Sequence, residues 1–197
     1  MNQSVHVMLS GEGAETFAKE QGLAQVDNQT FNTERRFKAL QKAKQAIADR
    51  QTNLVKFQDY KFGTVGAVVL DQYGNLVAGT STGGMTAKRY GRIGASPVIG
   101  SGTFADNDSC AVSSTGHGEY FIRYQVAADI CARMAYQGKN LTQAADEVVN
   151  GVLVEAQGSG GVIAMDSSGN IAMPFNTEGM YRGSIDIHGK ISIKIYK

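Results

Sequence analysis

No apolar run in the sequence approaches the roughly 18 residues that a membrane-spanning helix needs, so no membrane association is expected. Net charge is only +1, which suggests neither a nucleic-acid footprint nor an acidic partner. The opening residues, MNQSVHVMLSGEG, lack the basic stretch and apolar run of a signal peptide. His6, His117 and His188 lie far apart, and Cys110 and Cys131 form no C-x-x-C pair or His/Cys ligand spacing. No metal site and no cofactor are therefore expected. The two cysteines read as small buried hydrophobes, and a reducing, cytoplasmic compartment fits best. A Walker A loop is missing, because GASPVIGSG over 94–102 lacks the Gly-Lys-Ser/Thr ending. Proline is scarce, at 2 residues, against 24 glycines. Those glycines have no fixed period, so collagen and low complexity are excluded, and tight turns or close backbone approach explain them better.

Hydrophobic residues make up 42% and charged residues 19% of 197 positions, an ordinary globular balance. VHVML (5–9) reads as a short strand and GAETFAKEQG (13–22) as a short helix. The stretch over 32–50 is a clear helix: Asn32 or Thr33 can cap it, and Phe37, Leu40 and Ile47 share a face with Lys44 at its edge. Residues 51–63 are polar and aperiodic, which suggests an exposed linker.

The next feature is an internal repeat. GTVGAVVLDQYGNLVAGTSTGG (63–84) aligns without gaps on GSGGVIAMDSSGNIAMPFNTEG (158–179). Asp71, Gly74 and Asn75 match Asp166, Gly169 and Asn170. Each copy reads as strand, Asp-x-x-Gly-Asn turn, strand, which is a β-hairpin. Two copies do not make a solenoid. Between them, residues 110–114 form a strand, 118–138 a helix ending at Gly138, and 141–156 a second helix with Thr142 as its cap. The last fifteen residues alternate around a His-Gly turn as a third hairpin. Adjacent hairpins with helices point to an α+β protein with antiparallel sheets, not to a doubly wound dinucleotide fold.

The chemistry on offer is hydroxyl-rich. Thr64, Thr80, Ser81, Thr82, Ser113, Ser114 and Thr115 fall at strand ends or in glycine loops. A hydroxyl nucleophile needs a base. One source is a Ser-His-Asp arrangement through His117. Another is the nucleophile's own α-amine, whose ordinary pKa of about 7.7–8.0 suits proton transfer near neutrality. The second route requires Thr64 to become an N-terminus by attack of its hydroxyl on the Gly63 carbonyl. Thr64 also reads simply as a β-branched residue opening a strand. Ser159 occupies the matching position after Gly158, but it follows a helix closely, whereas a polar linker precedes Thr64.

FGTVGAVVLDQYGNLVAGTSTGGMTAKRYGRIG, STGHGE and MPFNTEGMYRG together resemble the plant-type (type III) L-asparaginase/isoaspartyl peptidase family of N-terminal-nucleophile hydrolases, and the likeness covers nearly the whole chain. It implies a four-layer αββα sandwich and a precursor cut between Gly63 and Thr64. Residues 1–63 would be the C-terminal part of the α-subunit plus linker, and 64–197 the β-subunit; αβ units would pair as a dimer. Thr64 would be the nucleophile with Thr82 hydrogen-bonded to it. Thr115 and Gly116 would form the oxyanion hole and also contact substrate beside Gly118. Arg92 would hold the substrate α-carboxylate, a task that suits a planar fork. The implied substrate is L-asparagine or a β-aspartyl dipeptide.

Two departures stand out. The family pattern after the arginine carries an aspartate that pairs with the substrate α-ammonium, and here that position is Ala95. The family's N-terminal segment, with its HGGAG-type motif and cation-binding loop, has no counterpart, so the sandwich is expected to be incomplete at its N-terminus and no sodium site is implied. These departures keep open an alternative, a non-catalytic, truncated or unprocessed relative acting as an interaction module or a remnant.

Overall fold

The computed structural model describes residues 3–49 and 63–197. Of the expected linker, only Gly63 lies among them. The chain divides into two compact units, Met1–Asn53 and Leu54–Lys197.

The first unit is helical. Helix α1 spans Gly11–Glu20, a 3-10 turn spans Asn28–Phe31, and helix α2 spans Glu34–Asp49. Thr33, rather than Asn32, caps α2, since its hydroxyl accepts the Arg36 N–H at 3.3 Å. Neither helix buries a residue. The strand expected over 5–9 does not form. Val5 and Val7 are 93% and 86% exposed, and no described strand pairs with them. A β-strand is stabilised by its cross-strand ladder, and alternation alone does not create one.

The second unit holds all the strands among the described residues. Strands β1 (Thr64–Leu70) and β2 (Leu76–Thr82) form an antiparallel hairpin in full register, Thr64 opposite Thr82 and Leu70 opposite Leu76. Strands β3 (Thr103–Ala105), β4 (Cys110–Gly116), β5 (Gly160–Asp166) and β6 (Ile171–Ala172) form one antiparallel sheet in that order. Strands β7 (Arg182–Ile185) and β8 (Ile191–Lys194) make a third hairpin. The α+β class with antiparallel pairing follows the sequence expectation.

The repeat is a repeat in three dimensions. In each copy the Asp side chain accepts the Asn backbone N–H, at 2.8 Å for Asp71–Asn75 and 2.9 Å for Asp166–Asn170. Its second oxygen takes the Asn side-chain amide. Gly74 and Gly169 adopt φ of 83° and 79°, a left-handed conformation that glycine reaches at little cost. The turn of the last hairpin repeats the device: Asp186 accepts the Lys190 N–H at 2.9 Å, with Gly189 at φ 76°.

Side chains alternate across β4 and give the strand two different faces. Cys110 and Val112 join a buried core with Phe121, Val126, Ile130, Leu141, Val148 and Leu153 from the helical segment. Ser113 meets the β1–β2 hairpin. There a Cβ on Gly66 would stand 1.9 Å from the Ser113 hydroxyl, so only glycine lets the hairpin approach this closely. Thr80 bonds the Ser113 hydroxyl at 2.7 Å and accepts from Thr103. Helices, sheet and hairpin thus stack in three layers within this unit. No helix among the described residues is long and apolar enough to cross a membrane.

The helix expected over 118–138 is two helices, α3 (Gly118–Arg123) and α4 (Val126–Gln137). Gln125 breaks it at φ 47°. Its side-chain amide donates to the Ser101 hydroxyl at 2.9 Å, and the first N–H groups of α4 turn to the Gly100 and Ser101 carbonyls. A tertiary partner thus replaces the helical ladder. Helix α5 (Leu141–Asp146) is capped by Asn140, not Thr142, in a reciprocal capping box with Gln143. It continues through a wide π turn over Glu147–Val152 into α6 (Leu153–Glu155).

Cys110 and Cys131 are buried, as the sequence suggested, but they are not separate small hydrophobes. A disulfide joins them. Packing α4 on β4 brings their Cα atoms to 5.3 Å, inside the range a disulfide spans.

Candidate active site

Thr64 opens β1, and the hairpin register places it across from Thr82 at the end of β2. The two hydroxyl oxygens stand 3.2 Å apart, Thr64 donating. Thr82 Oγ1 also accepts the Gly84 N–H at 3.0 Å, which holds it at the head of the loop that follows. Both threonines are half-buried at the edge of a recess between the hairpin and the end of β4.

Thr115 and Gly116 end β4 and line the same recess. Gly116 has φ 146°, and a Cβ there would lie 2.4 Å from the Ser159 carbonyl oxygen. No other residue fits. The glycine closes β4 onto the start of β5, where Gly160 lies opposite it.

Arg92 reaches the recess from the loop after β2. Its Nε and Nη2 each donate to one oxygen of Glu119, both at 2.9 Å. The guanidinium lies over two glycines: a Cβ on Gly94 would stand 2.7 Å from Nη1, and one on Gly118 2.8 Å from Nη2. Both glycines leave room for the fork, while Glu119 fixes its orientation and leaves Nη1 unoccupied by that carboxylate. The Arg92 hydrogen bond is the main reason that the Glu119 carboxyl is held below the usual glutamate value.

His117 stands behind this pair, with Nε2 3.5 Å from Glu119 Oε2 and its ring edge-on to Tyr120. Burial pushes its imidazole below the ordinary value; the Glu119 charge opposes this in part, and Arg92 and Arg123 add to it. The Ser113 hydroxyl is engaged by Thr80 and that of Ser114 by the Ser101 carbonyl. A Ser-His-Asp arrangement through His117 therefore gains no support from these two serines. Ser159 lies outside the recess lining, and its carbonyl accepts the His117 N–H at 2.9 Å.

The recess thus gathers Thr64, Thr82, Arg92, Ala95, Thr115, Gly116 and Gly118, although they are scattered over more than fifty positions of sequence. Gly63 precedes it and is exposed. Glu119 is the partner that sequence reasoning missed. It closes the STGHGE segment, but only the fold reveals that it meets Arg92, 27 residues away. Among the described residues, no group of three or more His, Cys, Asp or Glu could hold a metal ion.

Such a constellation supplies a hydroxyl with an acceptor beside it, a glycine-shaped strand end and a fixed cationic fork. A family model described as Asparaginase matches residues 1–195. An isoaspartyl peptidase of Salmonella typhimurium is 50% identical over 184 residues, covering 92% of this chain and 59% of the relative. An isoaspartyl peptidase of Escherichia coli is also 50% identical, over 92% of this chain and 57% of its own length. An isoaspartyl peptidase/L-asparaginase of Xenopus laevis is 41% identical, over 91% and 56%. The chain therefore spans under three-fifths of the length of these curated relatives.

Proposed function

The chain belongs to the asparaginase family, and on that premise we propose that it carries the nucleophile of a threonine amidohydrolase. The substrate is the side-chain amide of L-asparagine or the β-aspartyl bond of an isoaspartyl dipeptide. The observation that carries this reading is the Thr64–Thr82 hydroxyl contact at the edge of a recess that also holds Thr115, Gly116 and Arg92.

The steps follow from these positions. Thr64 Oγ1 attacks the Gly63 carbonyl carbon, its proton passes to the departing amine, and the peptide bond becomes an ester. Water cleaves the ester and leaves a Gly63 carboxylate and a free Thr64 amine. That amine then serves as the base for the same hydroxyl, with a pKa of about 7.7–8.0. In turnover the hydroxyl adds to the substrate amide carbonyl. Thr115 and Gly116 meet the developing oxyanion, Arg92 Nη1 takes the α-carboxylate and Gly118 lies beside it. The amine leaves with the proton, and water then cleaves the aspartyl ester, releasing aspartate and restoring the Thr64 hydroxyl. Residues 1–63 and 64–197 are then the α and β chains of one αβ unit. Two such units pair as a dimer, and each is a four-layer αββα sandwich that is incomplete at its N-terminus.

Intact mass and a denaturing gel test this. Processing yields pieces ending at Gly63 and beginning at Thr64, and Thr64→Ala abolishes both the cut and the turnover. Amide hydrolysis surviving in Thr64→Ala would remove Thr64 from the role.

A second reading, a non-catalytic relative, draws on one residue. Ala95 lines the recess and brings no charge for a substrate ammonium. An uncut chain that binds asparagine without hydrolysing it favours this reading over the first.

A further inference from the structure

Beside the recess lies an open cleft, and the two share Thr82, Gly84, Arg92, Gly94 and Ser96 as a common rim. The cleft is the roomier of the two, about 340 Å³ against about 20 Å³. The recess receives the aspartyl half of either substrate beside Thr64 and Arg92. Ammonia is water-sized and adds little to that half, whereas the amino acid leaving from a β-aspartyl dipeptide needs the further space of the cleft. Thr64 borders the recess and not the cleft. A substrate whose acyl carbon meets Thr64 therefore extends its leaving side over the shared rim.

Two cations line the cleft, Arg92 and Lys88. Arg92 is engaged by both oxygens of Glu119. Lys88 is different: it makes no hydrogen bond or ion pair among the described residues. Lys88 is exposed, but its head group stays beside the rim. Its Nζ lies 3.1 Å from where a Cβ on Gly84 would stand, so the ammonium rests over the rim glycine. The backbone around it is unusual. Ala87 and Tyr90 adopt φ of 57° and 55°, a conformation that costs residues with a Cβ and persists where the surroundings impose it. No acidic side chain lines the cleft among the described residues. The field there is positive and suits a carboxylate.

We propose that this cleft is a leaving-group subsite in which Lys88 pairs with the free α-carboxylate of the amino acid released from a β-aspartyl dipeptide. The inference rests on the hydrolysis proposed above and adds to it the recognition of the departing half.

The test compares β-aspartyl-leucine with its C-terminal amide, with every rate expressed relative to L-asparagine on the same protein so that general losses cancel. The processed wild-type chain is expected to favour the acid about three- to fivefold in kcat/KM, as an exposed ion pair allows. In Lys88→Met the ratio falls to about one, and in Lys88→Arg it returns. A preference that persists in Lys88→Met, or a wild type with no preference, overturns the subsite. If none of the three substrates is cut, the reaction reading fails, and calorimetric binding of the two dipeptides judges the subsite alone. Tighter binding of the acid that Lys88→Met abolishes then upholds it, and equal binding of acid and amide by the wild type refutes it.

Discussion

The hydroxyl of Thr64 donates to that of Thr82 across the open end of a hairpin of two seven-residue strands, and Thr82 is itself held by the Gly84 N–H. Thr82 is therefore an oriented acceptor. On the proposed mechanism the same Thr64 oxygen attacks in the self-cut and in turnover, so loss of Thr82 is expected to affect both. Thr82→Ala should slow cleavage at Gly63 and later amide hydrolysis by about 10- to 100-fold each, the equivalent of one hydrogen bond near a developing charge. Thr82→Ser should keep most of both rates. Time courses by intact mass and by ammonia release measure the two, and normal rates in Thr82→Ala would remove Thr82 from the mechanism.

Glu119 acts through Arg92. Glu119→Gln keeps the shape but offers only one acceptor and no charge to the fork. KM for asparagine should rise about tenfold with kcat changed far less, because binding and not bond breaking loses its guide. Glu119→Asp should recover part of the loss. A fall in kcat at constant KM would instead tie Glu119 to the chemical step.

The His117 imidazole has its pKa lowered by burial, and the sign of its contribution to stability follows. The unfolded chain takes up a proton near pH 6.5 that the fold resists. The stabilisation from neutral His117 is thus complete above about pH 6.5 and is lost as pH falls from there through the lower folded value. Melting midpoints recorded from pH 7.5 to 5 should drop more steeply for the wild type than for His117→Gln over that interval. Parallel curves would show that His117 titrates normally.

The bridge between Cys110 and Cys131 closes a loop with a sequence separation of 21 residues. On the chain-entropy account this stabilises by about 3 kcal/mol, enough to shift a melting midpoint by several degrees. Reductant should lower the midpoint, and thiol titration of the unfolded, unreduced protein should find no free cysteine. Two titratable thiols would show that the bridge does not form in solution.

What the sequence disclosed, and what it hid, divides along a physical line. The Asp-x-x-Gly-Asn turns were legible because both the acceptor and the left-handed glycine are local, as the matched bonds at Asp71 and Asp166 show. The hydroxyls around Thr64 were legible through their motif. The break at Gln125 was not, since its cause is Ser101, a partner supplied by the fold. The Arg92–Glu119 fork and the cysteine pairing were hidden for the same reason: each joins distant segments that only the packing of α3 and α4 against β4 brings together. The strand expected over 5–9 failed in the opposite sense, because its alternation was real but no described neighbour pairs with it.

The register of the first hairpin has one more consequence. Thr64 is the first of seven consecutive cross-strand pairs, all formed with residues that follow it in the chain. Severing the bond before it would remove a covalent tether without removing any of those seven. The new chain end would be born already moored, its hydroxyl held by a neighbour downstream.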